Sequence, residues 1–250
     1  MTRIGRIRSE ATAAWHAFLR RRTAVFFTFF FPIILIVIFG ALVRTDPGGG
    51  GLFTEPAGYY VPGYLAVVVL FTPLSRLGST VARNREGNRF EKLATTPLTR
   101  AEWLAAHTLV NGAIIGLASL LILGLVVVLT GAEVAFSGLL VPLIAFGVVL
   151  FCGVGALLGR LADSQDGAVT ASNAIGLPLL FLSETFVTPD LLPGWFEPLV
   201  NLSPLTYFAR GTRAAAYPAS QASPYPSLGI LVVLAVVAFA LGAYAIPRTE

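Results

Sequence analysis

Apolar residues in this chain fall into long, nearly continuous runs, not into the alternation of strands or the narrow stripes of soluble helices. A segment needs about 20 mostly apolar residues, rising 1.5 Å each, to cross roughly 30 Å of hydrocarbon. Six stretches meet or approach that length: Ala24 to Val43, Val61 to Thr80, Leu104 to Leu129, Leu139 to Leu161, Ala168 to Val187 and Leu228 to Ile246. The first and last contain no charge, the second carries Arg76, and the fifth is the most polar, with Thr170, Ser172, Asn173, Pro178 and Glu184. The pattern predicts an all-α polytopic membrane protein of six transmembrane helices, with 1–250 forming one transmembrane domain.

Three segments outside the spans have patterns of their own. Residues 3–22 place Ile4, Ile7, Ala11, Trp15, Phe18 and Leu19 at helical spacing among arginines. This predicts an N-terminal amphipathic helix in the cytoplasmic interface, with Trp15 and Phe18 sunk among lipid headgroups. Residues 188–227 are too polar and too broken by proline to span, yet apolar enough to lie on the outer leaflet as short helices. Residues 83–100, RNREGNRFEKLATTPLTR, form a charged helical island between the second and third spans. Pro97 stops its helix, and Thr99 followed by Glu102 is a capping box that starts the next.

Composition sharpens this picture. Hydrophobic residues make up 56% of the 250 and charged residues 12%, with a mean hydropathy of +0.79. Soluble domains carry about 25% charged residues. Of 17 basic residues only Arg44, Arg210 and Arg213 fall on the face opposite the termini, so the positive-inside rule places both termini in the cytoplasm; the plasma membrane is the expected location. The same distribution accounts for the pI near 9.6 without nucleic acid as a partner. The first apolar stretch is too long for a signal peptide and is expected to be kept as a span. Cys152 is the sole cysteine, which excludes an internal disulfide framework, and no internal repeat relates the two halves.

Chemistry is sparse. Lys92 is the only lysine and no GxxxxGK[ST] loop precedes it, so nucleotide phosphates have no Walker A cradle here. His16 and His107 are isolated, and neither HExxH nor GxSxG occurs. A membrane enzyme therefore lacks residues to stand on, and no cofactor is expected on this chain. A stand-alone ion-coupled carrier or channel, the alternative reading, would want ionisable groups near the midplane, and the spans offer almost none. Passage powered by another chain fits best.

The island is where such power would enter. Glu86, Arg89, Phe90, Lys92 and Leu93 share a short helix whose apolar stripe, Phe90, Leu93 and Ala94, suits a partner's groove. Two readings remain open on the residues alone: a rigid lever that meets a partner, or a solvated connector whose arginines serve only topology.

The island resembles the signature that follows the second span in ABC type-2 transporter permeases. Its glycine is Gly87, its leucine Leu93, and its Thr-Pro-Leu-Thr-Arg run is Thr96 to Arg100. A second block, Pro178 to Arg213, is similar to the same family, with Leu192, Pro193, Trp195, Pro204, Leu205, Thr206 and Tyr207 in the family's order. The resemblance runs from the interfacial helix to the sixth span. It implies a cytoplasmic coupling helix docking on a separate ABC ATP-binding subunit through Glu86, Gly87, Arg89, Phe90, Leu93, Thr96 and Pro97. It further implies ATP and Mg on that partner, a second permease copy forming a homodimer, and substrate export between the two copies. Where the family has Ser-Gly, this chain has Ser183-Glu184. Glu184 either faces a vestibule and touches cargo or snorkels to external water, and its place near the interface favours snorkelling. Asn173 and Pro178 are the remaining candidates for the translocation path. Gly112 with Gly116 and Gly155 with Gly159 are small-xxx-small pairs expected at helix contacts.

Overall fold

The computed structural model describes residues 2–38, 55–186 and 194–247. Among these the chain is helical, in the order α1 (Arg3–Leu19), α2 (Arg22–Ile36), α3 (Val61–Glu86), α4 (Arg89–Ala94), α5 (Arg100–Thr130), α6 (Leu140–Leu161), α7 (Gln165–Phe181), α8 (Glu197–Leu202), α9 (Pro204–Ala216) and α10 (Tyr225–Ala245). Four helical stretches are long and apolar enough to cross a membrane: Ala57–Glu86, which is α3 with the 3-10 turn before it, α5, α6 and α10. The described part of α2 is 15 residues and α7 is 17. The first expected span continues past Ile38 into residues outside the described set, as does the end of the fifth. The segment expected at the interface is a separate helix, and two short helices, α8 and α9, precede the last long one, but α9 does not lie on a surface as expected, because most of it is buried against α3, α6 and α10.

Local chemistry explains the boundaries. The expected capping box is present at α5: Thr99 Oγ1 accepts from the Glu102 amide at 3.2 Å, and the Glu102 carboxylate accepts from the Thr99 amide at 2.9 Å. Gly131, in the left-handed region at φ 64°, ends the helix. Helix α3 runs six residues past the expected end at Thr80, because Arg83, Asn84 and Arg85 sit on its last turn without breaking it. Pro62 occupies its first turn, where no amide is needed.

Helix α3 is the hub: every residue from Val61 to Leu70 is buried, and α5, α6, α7 and α9 all pack on it. In lipid there is little hydrophobic gain from joining two helices, so close backbone approach must supply the attraction. Gly155 and Gly159 do this on α6. A Cβ at Gly155 would lie 2.7 Å from the Leu74 carbonyl, and one at Gly159 would strike the backbone of Gly78. Gly153 and Gly242 serve the α6–α10 contact in the same way. Gly112 and Gly116 do not belong to this class, since a Cβ at either meets nothing within 4 Å. They lie on the side of α5 away from its neighbours.

Candidate functional site

The turn between α3 and α5 is built by residues that hold one another. Helix α3 ends at Glu86, Asn88 takes a left-handed conformation at φ 50°, and α4 follows for six residues. Arg85 donates through Nη1 to the Gly159, Arg160 and Ala162 carbonyls, at 3.3, 2.5 and 3.0 Å, and so satisfies the orphan end of α6. Glu86 accepts from the Gln165 amide at 2.8 Å and caps the start of α7. Phe90 is buried and meets Trp103 edge-on, with ring centroids 5.3 Å apart. The side chains expected to reach a partner thus divide. Phe90 turns inward, Leu93 is half-buried, Glu86 is exposed but bound to the Gln165 amide, and Gly87, Arg89, Thr96 and Pro97 are exposed beside Glu91 and Lys92. The stripe of Phe90, Leu93 and Ala94 is not free as expected, because Trp103 takes its aromatic member. A cavity of about 300 Å³ lies under this turn, between Leu93, Pro97, Arg100 and the end of α10 at Ile246.

Helix α1 is clamped to the same place. Glu102, only 3% exposed, accepts from Arg6 at 2.5 and 3.1 Å and from Arg3 at 3.2 Å, while also serving the α5 capping box. That carboxylate raises the Arg6 pKa above its ordinary value, chiefly by hydrogen bonding. Glu10 meets His107 at 3.2 Å one turn along. Ala14 and Phe18 are buried against Val110 and Ile114 of α5. Phe18 therefore packs on protein and not among headgroups as expected. Trp15, half-buried, stays at the edge of this contact.

Between α2, α3 and α7 opens a cleft of about 1120 Å³. Phe27, Phe31, Phe71, Leu177 and Phe181 line it, and Asn173 is exposed within it. Of the three translocation-path candidates only Asn173 lines this cleft. Pro178 is exposed on α7 outside it, with its carbonyl accepting from the Leu182 amide. Arg76 lines it too, donating to the Asn111 side-chain carbonyl at 3.3 Å and resting 4.6 Å over the Phe18 ring. The sequence shows Arg76 inside an apolar run. It does not show that the guanidinium meets Asn111 and Phe18 at the edge of a cleft.

Glu184 is neither snorkelled nor free. It is 5% exposed, and Arg210 of α9 grips it with two donors, Nε to Oε2 at 3.0 Å and Nη2 to Oε1. Arg213 approaches the same carboxylate at 3.9 Å, donates to the Glu184 backbone carbonyl, and stacks 4.1 Å from the Tyr59 ring centroid. Arg210 also donates to Asn201 at 2.8 Å. Hydrogen bonding to Glu184 raises the Arg210 pKa, and burial lowers that of Arg213. The expected exit to water fails because two arginines lie closer than the solvent. Both counted in sequence only as the sparse basic residues of the outer face.

Comparison with known proteins places this arrangement. The ABC-2 type transporter family matches residues 7–217. The chain is 27% identical over 191 residues to the daunorubicin resistance ABC transporter permease protein DrrB1 of Streptomyces coeruleorubidus, covering 73% of this chain and 64% of that relative. It thus spans less than two thirds of DrrB1. It is 26% identical over 215 residues to the inner membrane transport permease YadH of Escherichia coli K12, covering 83% and 80%. It is 25% identical over 225 residues to the probable doxorubicin resistance ABC transporter permease protein DrrC of Mycobacterium tuberculosis, covering 85% and 78%. The match runs from the clamped amphipathic helix through the turn between α3 and α5 to the end of α9, and this chain belongs to the ABC-2 type transporter family.

Proposed function

We propose that this chain is the permease subunit of an ATP-driven exporter, which moves its cargo across the plasma membrane on energy supplied by a separate ATP-binding subunit. Family membership supports the reading, and the cytoplasmic turn is the observation that carries it. Residues 83–100 tie together the ends of α3, α5, α6 and α7, so a push on α4 reaches four helices through hydrogen bonds and packed rings. ATP and Mg belong to the partner. Two copies of this chain, each with six spans and cytoplasmic termini, would enclose the route, with lipid around them. Helices α2, α3 and α7 would move, since an open cleft separates them.

The partner-facing residues are those the turn leaves outside: Arg89, Glu91 and Lys92, with Thr96 and Pro97. The test is capture from native membranes. The wild-type chain should bring down an ATP-binding subunit, and Lys92→Glu should lose it while keeping its own fold. Recovery of the partner by Lys92→Glu at wild-type yield would refute the assigned surface. Cargo accumulation by the chain alone, in vesicles without nucleotide, would refute the exporter reading and restore a stand-alone carrier.

A further inference from the structure

We propose that the cleft between α2, α3 and α7 binds an amphipathic monoanion, a molecule with one carboxylate or phosphate head and an extended apolar body. The inference rests on reading that cleft as the cargo route and names the chemistry it selects. Thr72, Ser75, Arg76 and Ser79 line it at i, i+3, i+4 and i+7, which puts them on one face of α3. Arg21 lines the same end of the cleft. Toward the other end the lining becomes Val67, Phe71, Leu35, Leu180 and Phe186, apolar throughout. From Ser79 to Val67 is about 18 Å along the helix axis, so one compact polar end opens into one long apolar end.

Charge decides the sign of the head. Among the described residues two arginines line the cleft and no acidic residue does. The contacts of Arg76, the Asn111 carbonyl and the Phe18 ring, are both neutral. A cation held at membrane depth is costly unless an opposite charge reaches it. The arginines of the outer face show the contrast, for Arg210 and Arg213 share Glu184. Arg76 has planar donors left for an oxyanion, and the Thr72 and Ser75 hydroxyls add weaker ones, while that of Ser79 donates to the Arg76 backbone carbonyl. Phe27 and Phe31, about half exposed, leave the cleft open sideways, so an apolar body enters from the bilayer without crossing water.

The test uses the full chain in nanodiscs of neutral phosphatidylcholine, without nucleotide or partner, so that its outcome is independent of coupling to an ATPase. The probe is dansylaminoundecanoic acid, with its methyl ester as the uncharged twin. The acid should bind about tenfold more tightly than the ester, the size of one lost charge-assisted hydrogen bond. Arg76→Gln should lower acid affinity about tenfold and leave the ester unchanged, while Arg76→Lys keeps most of the preference. Displacement by added phosphatidylglycerol would name a lipid head as the natural anion, and retention of the probe would name a free amphiphile. Equal binding of acid and ester by the wild-type chain would overturn the proposal. So would a Gln variant of wild-type melting temperature that keeps the preference. Exclusion of the acid from the wild-type chain, as when a second copy seals the cleft, would overturn it too.

Discussion

Glutamine at position 184 tests whether the Glu184–Arg210 lock holds the fold. Glu184→Gln preserves volume and one acceptor but removes the charge that Arg210 grips with two donors and Arg213 faces at 3.9 Å. Removing one member of a fully buried pair costs about 3–5 kcal/mol, because the other is left charged and unmatched. An exposed pair costs about 0–1 kcal/mol. This site lies between those limits. The Arg213 side chain is 10% exposed and keeps its bond to the backbone carbonyl and its stack on Tyr59, while that of Arg210 is 35% exposed and able to turn toward water. The expected loss is about 2–3 kcal/mol. Equilibrium unfolding in mixed micelles, followed by tryptophan emission, measures it, since Trp103 is buried in the core. Arg210→Gln alone should cost less, about 1–2 kcal/mol, since Glu184 retains Arg213. The double variant should then recover about 1–2 kcal/mol relative to the sum of the two. Strict additivity, or a loss under about 0.5 kcal/mol for Glu184→Gln, would mean that the lock contributes nothing and that α9 is held by packing alone.

Glu102→Gln keeps the capping box, for which glutamine serves as well as glutamate, but cancels the charge shared by Arg3 and Arg6. Helix α1 should exchange its amides faster while the start of α5 does not, and equal acceleration of both would refute the separation of clamp from cap. Glu102→Ala removes both roles and should loosen both helices. Gly155→Ala places a Cβ 2.7 Å from the Leu74 carbonyl and should cost about 1–3 kcal/mol. Gly112→Ala and Gly116→Ala meet nothing and should change stability by less than about 1 kcal/mol in either direction. Comparable losses at all three glycines, read from unfolding midpoints, would contradict the packing described. Phe90→Asp should destabilise the chain by about 3–5 kcal/mol by stranding a carboxylate against Trp103. Lys92→Glu should leave the melting temperature unchanged while abolishing partner recovery. A Phe90→Asp chain of wild-type stability would place that ring outside, on the partner's side.

Much of this molecule is written along its length. A run of some 20 apolar residues in lipid has to close its own backbone hydrogen bonds, so α5, α6 and α10 were legible from hydropathy alone. The start of α5 was legible because its capping box spans only three residues. The same locality makes the basic asymmetry and the TPLTR run visible without a fold. What a side chain meets across space is not local. Glu184 and Arg210 lie 26 positions apart, Glu102 and Arg6 96 apart, and each composition allowed an exposed charge as readily as a paired one. Gly112 with Gly116 and Gly155 with Gly159 have the same spacing, yet only the second pair faces a helix. Phe90 read as a partner's anchor until Trp103 occupied its face. Helix length and helix ends follow from bonds between near neighbours in sequence. The faces that turn inward follow from the order in which helices stack around α3, and that order is fixed by contacts between distant residues.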